Sequence, residues 1–404
     1  MCKLYTIYNI LIKNLYFFIK AIDKFVIFKY NDNTILKRRM SDMTKERVYN
    51  FSAGPSMLPE PVLKKAAEQM LNYENTGMSV MEMSHRSSSY LDIFNKTKAL
   101  LKKVMSVPDN YEILFLHGGA TQQFSMIPLN FLKTGKADYA ITGNFANLSY
   151  KEATKFGDIH VAYDGKENNY AHIPTQEELD LSDDASYLHI CANNTIYGTE
   201  YKYNPVTKNG CPVIADMSSN ILSQKVDVSQ YGLIYAGAQK NMGIAGLGIA
   251  IVRKDLLEGL QQTAPVLMDY QLMANKDSMY NTPSAFAIYM CGLVLEWVDQ
   301  NGGVEAMYER SIEKSQLIYD YLDNSDFYKA AVDKECRSRM NVTFTTPNKD
   351  LDAKFVKESI EAGMTNLKGH RAVGGIRASI YNAMPLEGVQ KLVAFMKKFE
   401  EENK

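Results

Sequence analysis

Two apolar segments in the middle of the chain each lead into a conspicuous ionisable residue. Residues 213–215 (Val-Ile-Ala) precede Asp216, and residues 233–236 (Leu-Ile-Tyr-Ala) lead through Gly-Ala-Gln into Lys240. Ligands of open α/β sheets bind beyond the carboxyl ends of the strands, so both side chains can face one crevice. An acid and a lysine there suggest pyridoxal phosphate chemistry, in which the lysine holds the aldehyde as a Schiff base and the acid pairs with the pyridinium nitrogen.

The lysine of such a site must lose its proton before it attacks. A desolvated, cation-rich setting that lowers its pKa from about 10.4 helps it to do so. The alternative is that Asp216 caps a turn and Lys240 is an ordinary surface lysine. That interpretation is favoured for either residue alone, and the pair shifts the balance toward function without proving it.

Residues 115–123 (Phe-Leu-His-Gly-Gly-Ala-Thr-Gln-Gln) form the second candidate element. A strand that passes through small residues into a helix leaves unpaired N–H groups at the helix N-terminus, and these suit a phosphate. The signal is weak by itself because Gly-Gly turns are common. It is not GxGxxG, so a nucleotide-binding Rossmann fold gains little support.

A third element is a set of cationic side chains outside the sheet segments. His85 and Arg86 lie early in the chain, whereas His370, Arg371 and Arg377 lie late and are surrounded by glycines. Guanidinium forks grip carboxylates and phosphates, so this set suits a substrate with several anionic groups. The alternative is that each arginine makes a solvent-facing ion pair worth about 0–1 kcal/mol.

Alternating strands and helices must position these groups. Apolar runs at 113–116, 138–142, 187–191, 213–215, 233–235 and 247–252 predict strands. Helical stripes occur at 90–104 and 284–300, the latter ending at Asn-Gly-Gly. The pattern predicts an α/β fold with a largely parallel sheet covered by helices.

The last hundred residues have a different pattern of strands and helices from the rest of the chain. Residues 339–346 and 375–381 alternate like strands, while 352–362 and the segment around 389–396 have helical periodicity. We therefore predict a large domain over 43–300 and a smaller C-terminal α+β domain over 301–404. The N-terminal end of the large domain is expected to contribute to the small domain and the active site.

Composition excludes several classes of protein. The 404 residues carry 45 Lys+Arg against 46 Asp+Glu, and this balance argues against a nucleic-acid partner bound by phosphate neutralisation. Five scattered cysteines without a CxxC pair offer neither a zinc site nor a disulfide framework, which indicates a reducing, cytoplasmic location. The six histidines show no metal-ligand spacing, so no metal site is expected.

Residues 1–42 differ from the rest of the chain and contain no Gly or Pro. Their apolar runs are interrupted by Lys13, Lys20, Asp23 and Lys24, so neither a membrane span nor a signal peptide is predicted. Our hypothesis is that this extension is not part of the fold and that translation begins at Met40 or Met43. Mass spectrometry of the natural N-terminus tests it.

From Val48 to Phe399 the chain resembles the phosphoserine aminotransferase family, class V members of the fold-type I pyridoxal phosphate enzymes. The stretches that carry the resemblance are 50–59, 79–86, 215–219, 231–241, 280–283, 338–341 and 369–385. The resemblance implies a large domain with a mostly parallel seven-stranded sheet. It also implies a homodimer with active sites at the interface, and ping-pong amino transfer between L-glutamate and 3-phosphohydroxypyruvate.

The resemblance also implies roles for individual residues. Lys240 is expected to be the Schiff-base lysine and proton shuttle, and Asp216 the partner of the pyridinium nitrogen. Arg377 resembles the anchor of the substrate α-carboxylate, and a distal anion site is formed by Arg86, His85, His370 and Arg371. The remaining cofactor contacts are expected from Ala120, Thr121, Phe145, Thr195 and Gln239, with Asn281 and Thr282 reaching the phosphate from the neighbouring subunit.

Two departures from the family pattern concern affinity. Phe145 stands where many relatives have Trp, and Ala120-Thr121 where some have Gly-Arg, which removes one cation near the distal site.

The alternatives to this function are a class V transaminase that uses alanine or serine with glyoxylate, and a cofactor-binding regulator without turnover. Some relatives also use a phosphorylated four-carbon substrate of vitamin B6 synthesis.

Overall fold

The computed structural model describes residues 47–260 and 264–404. The strands in chain order are β1 (Tyr49–Asn50), β2 (Tyr111–His117), β3 (Lys136–Ile141), β4 (Asp158–Asp164), β5 (Leu188–Cys191), β6 (Asn193–Asn194), β7 (Thr199–Glu200), β8 (Val213–Asp216), β9 (Leu233–Gly237), β10 (Leu247–Arg253), β11 (Asn341–Phe344), β12 (Met364–Thr365) and β13 (Ile376–Ser379). The α-helices are α1 (Glu60–Glu68), α2 (Ser88–Val104), α3 (Gly119–Phe131), α4 (Asn144–Ala153), α5 (Lys254–Leu257), α6 (Tyr270–Asn275), α7 (Ala285–Gln300), α8 (Gly303–Asp323), α9 (Lys349–Glu361) and α10 (Leu386–Asn403).

Seven strands form the main sheet in the order β2-β10-β9-β8-β5-β3-β4. Only β10 runs antiparallel to its neighbours β2 and β9, and the other paired strands are parallel. The prediction of a mostly parallel seven-stranded sheet covered by helices is therefore confirmed. The edge strand β4 was not predicted, because its Asp-Ile-His-Val-Ala-Tyr-Asp sequence mixes exposed and buried positions.

Helices cover both faces of this sheet and bury two separate apolar clusters against it. The predicted stripe on α2 is buried: Tyr90, Phe94, Thr97, Leu101, Val104. Helix α2 packs against α7 at close range. A Cβ at Gly292 would lie 2.4 Å from Thr97 Oγ1, so this position of α7 admits only glycine without movement of α2.

The C-terminal part has its own apolar cluster, which includes Phe51 from the N-terminal segment. Strands β11 and β13 pair antiparallel, and β1 pairs in parallel with β12. The predicted strand–helix–strand–helix pattern after residue 338 is confirmed by β11, α9, β13 and α10. Residues 49–404 form one compact unit, and the division at residue 301 remains a prediction.

The predictions for residues 1–42 fall outside the described residues. None of the helices in the described ranges combines the length and apolarity needed to cross a bilayer. Within the same ranges, no group of three or more His, Cys, Asp or Glu side chains is arranged to hold a metal ion.

Candidate active site

A cavity of about 260 Å³ opens at the carboxyl ends of β5, β8 and β9. It brings together seven of the predicted cofactor-binding residues: Ala120, Thr121, Phe145, Thr195, Asp216, Gln239, Lys240. The remaining wall comes mainly from small residues at the start of α3 and after β8. Strand ends from three neighbouring positions thus converge on one space, as expected for an open α/β sheet.

Lys240 follows β9 by three residues, and its amine lies inside this cavity. Its Nζ donates a hydrogen bond to Thr195 Oγ1 over 2.6 Å and lies 5.4 Å from the centroid of the Phe145 ring. Burial lowers the pKa of Lys240, Arg377 lowers it further, and Asp216 and Cys191 oppose the shift. The net lowering increases the fraction of neutral, nucleophilic amine near neutral pH.

The backbone of Lys240 is fixed by the segment that follows β1. Ser56 donates its hydroxyl to Lys240 O, and Ser56 N–H bonds to Gln239 O over 2.9 Å. Gly54 has φ +138°, and a Cβ there would lie 3.2 Å from Lys240 Cγ. This segment therefore covers the lysine closely, and glycine at position 54 allows the approach.

Asp216 is the last residue of β8 and is buried. Ser218 donates both its N–H, over 2.9 Å, and its hydroxyl, over 2.6 Å, to Asp216 Oδ1. No hydrogen bond to Oδ2 occurs among the residues that the structure describes. Burial raises the pKa of Asp216, and Lys240 and Ser218 oppose this shift. A cationic ring nitrogen against Oδ2 would favour the ionised carboxylate.

The N-terminus of α3 also lines the cavity. Gly118 and Gly119 both have positive φ, at 79° and 63°, and they turn the chain from β2 into the helix. The first N–H groups of a helix have no intrahelical acceptor and attract anions. Gln239 contributes an amide whose buried Oε1 has no partner in the described part of the chain.

These features fit pyridoxal phosphate. The anion-binding end suits the phosphate, the free Oδ2 of Asp216 suits the ring nitrogen, and Lys240 suits the aldehyde. The fit rests on the unpaired polar atoms and on the cavity they surround. A nucleotide-binding Rossmann site would require neither the lysine nor the acid.

Arg377 approaches the same space from β13. Its Nη1 donates to Thr195 O over 3.2 Å, so Thr195 contacts Lys240 through its hydroxyl and Arg377 through its carbonyl. Burial lowers the pKa of Arg377, and Tyr381 opposes that shift. Thr195 thus links the guanidinium to the reactive amine.

His370 and Arg371 lie in the loop before β13. Burial lowers the pKa of His370, and Arg377 and Arg371 lower it further, so a neutral imidazole lies near two guanidinium groups. His370 Nδ1 accepts a hydrogen bond from Ala372 N–H over 3.2 Å, which places the proton of the neutral ring on Nε2. Their position beside Arg377 is compatible with the predicted distal anion site.

Seven predicted site residues are not part of the cavity lining within one chain. Arg377, His370 and Arg371 are described above, and the other four are His85, Arg86, Asn281 and Thr282. His85 and Arg86 precede α2, and Arg86 is exposed. Asn281 and Thr282 lie in the loop before α7, where Thr282 O is 3.0 Å from His117 Nε2 and Asn281 Oδ1 is buried without a partner among the described residues. The action of Asn281 and Thr282 across a subunit boundary remains a prediction, as does the part of His85 and Arg86 in the distal anion site.

Sequence reasoning missed several residues that hold the site together. Ser218 fixes Asp216 by donating hydrogen bonds to its carboxylate. The Asp-x-Ser spacing was a detectable sign of this contact, because Asp side chains often accept a hydrogen bond from the backbone two residues later. Tyr381 donates its hydroxyl to Ala53 O over 2.8 Å and accepts from Asn341 Nδ2 over 3.1 Å. No local pattern marks Tyr381, because both of its partners are distant in sequence.

Comparison with known proteins places this geometry in a family. The family model Aminotransferase class-V matches residues 48–392. Phosphoserine aminotransferase of Bacillus cereus is 50% identical over 360 residues, covering 89% of this chain and all of that protein. The solved phosphoserine aminotransferase of Bacillus circulans subsp. alkalophilus is 45% identical with a TM-score of 0.87, and the match covers 89% of this chain and 100% of that one.

A more distant solved structure is informative about the cavity. The pyridoxal phosphate-bound phosphoserine aminotransferase of Trichomonas vaginalis is 38% identical, has a TM-score of 0.83, and is matched over 87% of this chain and 100% of its own. With a lysine, an acid and an anion-binding helix end around one cavity, and with these similarities over its described length, the chain belongs to the phosphoserine aminotransferase family of class V aminotransferases.

Proposed function

We propose that this chain is a pyridoxal phosphate-dependent aminotransferase. It transfers the amino group reversibly between L-glutamate and 3-phosphohydroxypyruvate, giving O-phospho-L-serine and 2-oxoglutarate. The observation that carries the proposal is the placement of Lys240 and Asp216 on neighbouring strand ends around one cavity, with Arg377 beside them. The names of its relatives support the choice of substrates.

When bound, pyridoxal phosphate supplies a ring that withdraws electrons from the substrate Cα. The protein's part is to hold and orient. Lys240 retains the cofactor through its amine and moves the proton that leaves Cα, which requires the lowered pKa that burial gives it. Asp216 would pair with the ring nitrogen and favour its protonated form, and Ser218 fixes that carboxylate in place.

Substrate binding follows from the cations. Both substrates carry an α-carboxylate, which we assign to Arg377. They differ at the far end, where one has a carboxylate and the other a phosphate. His370 and Arg371 hold either group, because forked and diffuse positive charge does not demand one ligand size. His85 and Arg86 complete this distal site.

Like Arg377, His370 and Arg371, the residues Asn281, Thr282, His85 and Arg86 do not line the cavity of one chain. For Asn281 and Thr282 the family resemblance implies action from a neighbouring subunit. We propose that a second copy supplies these residues and that the active unit is a cytoplasmic homodimer. Two lobes, 43–300 and 301–404, form each subunit. The reaction belongs to serine biosynthesis, with the phosphorylated four-carbon substrate of vitamin B6 synthesis as a second possible use.

A visible spectrum of the purified protein, followed by titration with glutamate, tests the proposal. We expect a yellow protein whose absorbance shifts with glutamate and returns with 3-phosphohydroxypyruvate. Borohydride reduction should leave the cofactor attached to the peptide that contains Lys240. A cofactor spectrum that does not respond to glutamate would instead indicate a binding protein without turnover.

The competing enzyme is a transaminase that uses glyoxylate. Its substrate has no distal anion, so it would not need the patch formed by His370 and Arg371. Steady-state assays with 3-phosphohydroxypyruvate and glyoxylate at matched concentrations separate the two. A higher kcat/KM with glyoxylate overturns the assigned substrate while leaving the reaction type intact.

A further inference from the structure

A second cavity, which we call the rear cavity, lies behind the loops that form the candidate active site. Its volume is about 330 Å³. It is lined by residues from the ends of β5 and β8, the segment after β7, helix α8 and the segment before β11, among them Tyr201, Lys202, Tyr203, Asn220, Tyr308 and Arg339. Such a volume falls in the range of small-molecule sites.

The rear cavity and the cofactor cavity share two walls. Ala192 and Met217 line the rear cavity, whereas their neighbours Cys191 and Asp216 line the cofactor cavity. The rear cavity is nonetheless a separate space, since none of its lining residues also lines the cofactor cavity.

A charged network borders the rear cavity. Glu200 is fully buried, and its carboxylate bonds Arg339 Nη2 over 3.0 Å and Lys202 Nζ over 2.5 Å. Lys225 and Asp227 lie at the rim and are exposed. Lys202, Lys225 and Arg339 carry three formal positive charges against two negative charges on Glu200 and Asp227, which leaves one net positive charge. Burial lowers the pKa of Lys202, and Glu200 opposes this shift. The side chain of Arg339 is only 13% exposed, so its share of that charge is poorly solvated.

Several polar atoms around the rear cavity lack partners. Arg339 donates through Nη2 to Glu200 and Gln224, but no acceptor for Nε is present among the described residues. The hydroxyl of Tyr201 and Oδ1 of Asn220 are likewise buried and unpaired there. Buried polar groups are nearly always paired, so these three atoms favour a polar partner, either water or another occupant of the cavity.

Aromatic rings form much of the remaining wall. Tyr201 and Tyr203 pack against each other with centroids 5.7 Å apart, and the Arg339 guanidinium lies 5.0 Å from the centroid of the Tyr308 ring. Water would satisfy the unpaired atoms but would leave the net charge unbalanced. An anion with an apolar, flat body satisfies both the charge and the rings.

We propose that the rear cavity binds a small monocarboxylate with an aromatic or similarly apolar body. Its carboxylate accepts hydrogen bonds from Arg339, and its body packs against the tyrosine rings. A single negative charge matches the single net positive charge of the network. This proposal does not depend on the assigned reaction, because none of the rear cavity's lining residues is assigned a role in it.

Calorimetric titration of the holoenzyme with benzoate tests the proposal, with neutral benzamide as the matched ligand. The Arg377→Gln variant is used as the host, so that binding at the active site does not contribute. We expect saturable benzoate binding in the millimolar range or tighter, and binding of benzamide at least about ten-fold weaker. No saturable benzoate binding, or equal binding of the two ligands, overturns the proposal.

Variants in that host locate the binding. Arg339→Lys keeps the charge beside Glu200 but removes the guanidinium, and we expect about ten-fold weaker benzoate binding. Tyr201→Phe removes only an unpaired hydroxyl, so it should leave the folded protein intact while weakening benzoate binding. Arg310→Gln, an exposed position on α8 outside the lining, serves as control and should bind like the host. Host-like binding by both Arg339→Lys and Tyr201→Phe overturns the proposal.

Discussion

Lys314, on α8, is a buried lysine whose replacement should reveal how the C-terminal part is held together. Its Nζ donates to the carbonyls of Ile380, Tyr381 and Met384 over 3.0, 2.7 and 3.0 Å. It is only 3% exposed. These three carbonyls belong to the turn after β13, the strand that carries Arg377.

Lys314→Met fills the same volume but removes all three donors. Each buried carbonyl left unpaired costs about 1 kcal/mol or more, so we expect a loss of about 3 kcal/mol near pH 10, where the buried amine is neutral and no longer carries the cost of a desolvated charge. This is roughly a hundred-fold change in the unfolding equilibrium. Urea unfolding followed by circular dichroism measures it. A loss below about 1 kcal/mol would refute the assignment of three independent hydrogen bonds.

The pH dependence of stability provides a second test of the role of Lys314. Burial, with Arg310 adding to it, lowers the pKa of Lys314 to about 7. The unfolded chain keeps an ordinary lysine, so between pH 7 and about 10.4 it binds more protons than the folded protein. Folded stability relative to Lys314→Met must then rise with pH, by roughly 1 kcal/mol per unit above pH 7. If the difference in stability between the parent protein and Lys314→Met does not change with pH, the carbonyls keep the proton on the amine.

Lys398→Met is the matched control. Lys398 lies on α10 with its side chain 72% exposed, and its nearest acid, Glu402, is 3.7 Å away. Exposed pairs of this kind contribute little, so the variant should unfold within about 0.5 kcal/mol of the parent protein. The comparison separates the loss of a buried donor from the loss of a positive charge.

Three further changes test the site and the fold. Lys240→Ala should abolish the visible absorbance of the holoenzyme and nearly all turnover, and a retained yellow colour after dialysis would contradict the role assigned to this amine. Arg377→Ala should raise the KM for glutamate and for the phosphorylated substrate together, because both present the same α-carboxylate, whereas an effect on one substrate alone would contradict the division into proximal and distal anion sites. Arg337 grips Asp323 through two hydrogen bonds of 2.7 and 2.9 Å and, as the first cause, lowers its pKa to about 2. The stabilisation by this ion pair is complete above about pH 4 and is lost as the pH falls through about 2. Asp323→Asn should therefore lower the free energy of unfolding by about 1 kcal/mol at pH 7, allowing for solvent screening, and should have no effect at pH 2. Acid-unfolding curves measure both values.

Much of the fold follows from local pattern. Six of the strands of the main sheet were predicted because each is a short apolar run, and α2 and α7 were predicted because their buried faces repeat at helical spacing. The edge strand β4 was not predicted, because a strand at the edge of a sheet does not require a continuous apolar sequence. The pairing of β1 with β12 leaves no local sign at all.

The site was predictable to a similar extent. Asp216 and Lys240 stand out because each follows an apolar strand, and the convergence of such strand ends is a property of the fold. Arg377 could be proposed only as one of several cations, because its contact with Thr195 joins residues 182 positions apart. The rear cavity could not be foreseen, since its charges come from three separate segments that only the folded chain brings together.

The pairing of β1 with β12 also fixes when this protein can become active during its synthesis. Tyr49 and Phe51 hydrogen-bond through their N–H groups to the carbonyls of Gly363 and Thr365, and a few residues later Ser56 reaches the carbonyl of Lys240. A nascent chain emerging from the ribosome presents Tyr49 long before its partners have been made. The main sheet can assemble first, but the peptide that covers the lysine gains its anchor only when translation is nearly complete.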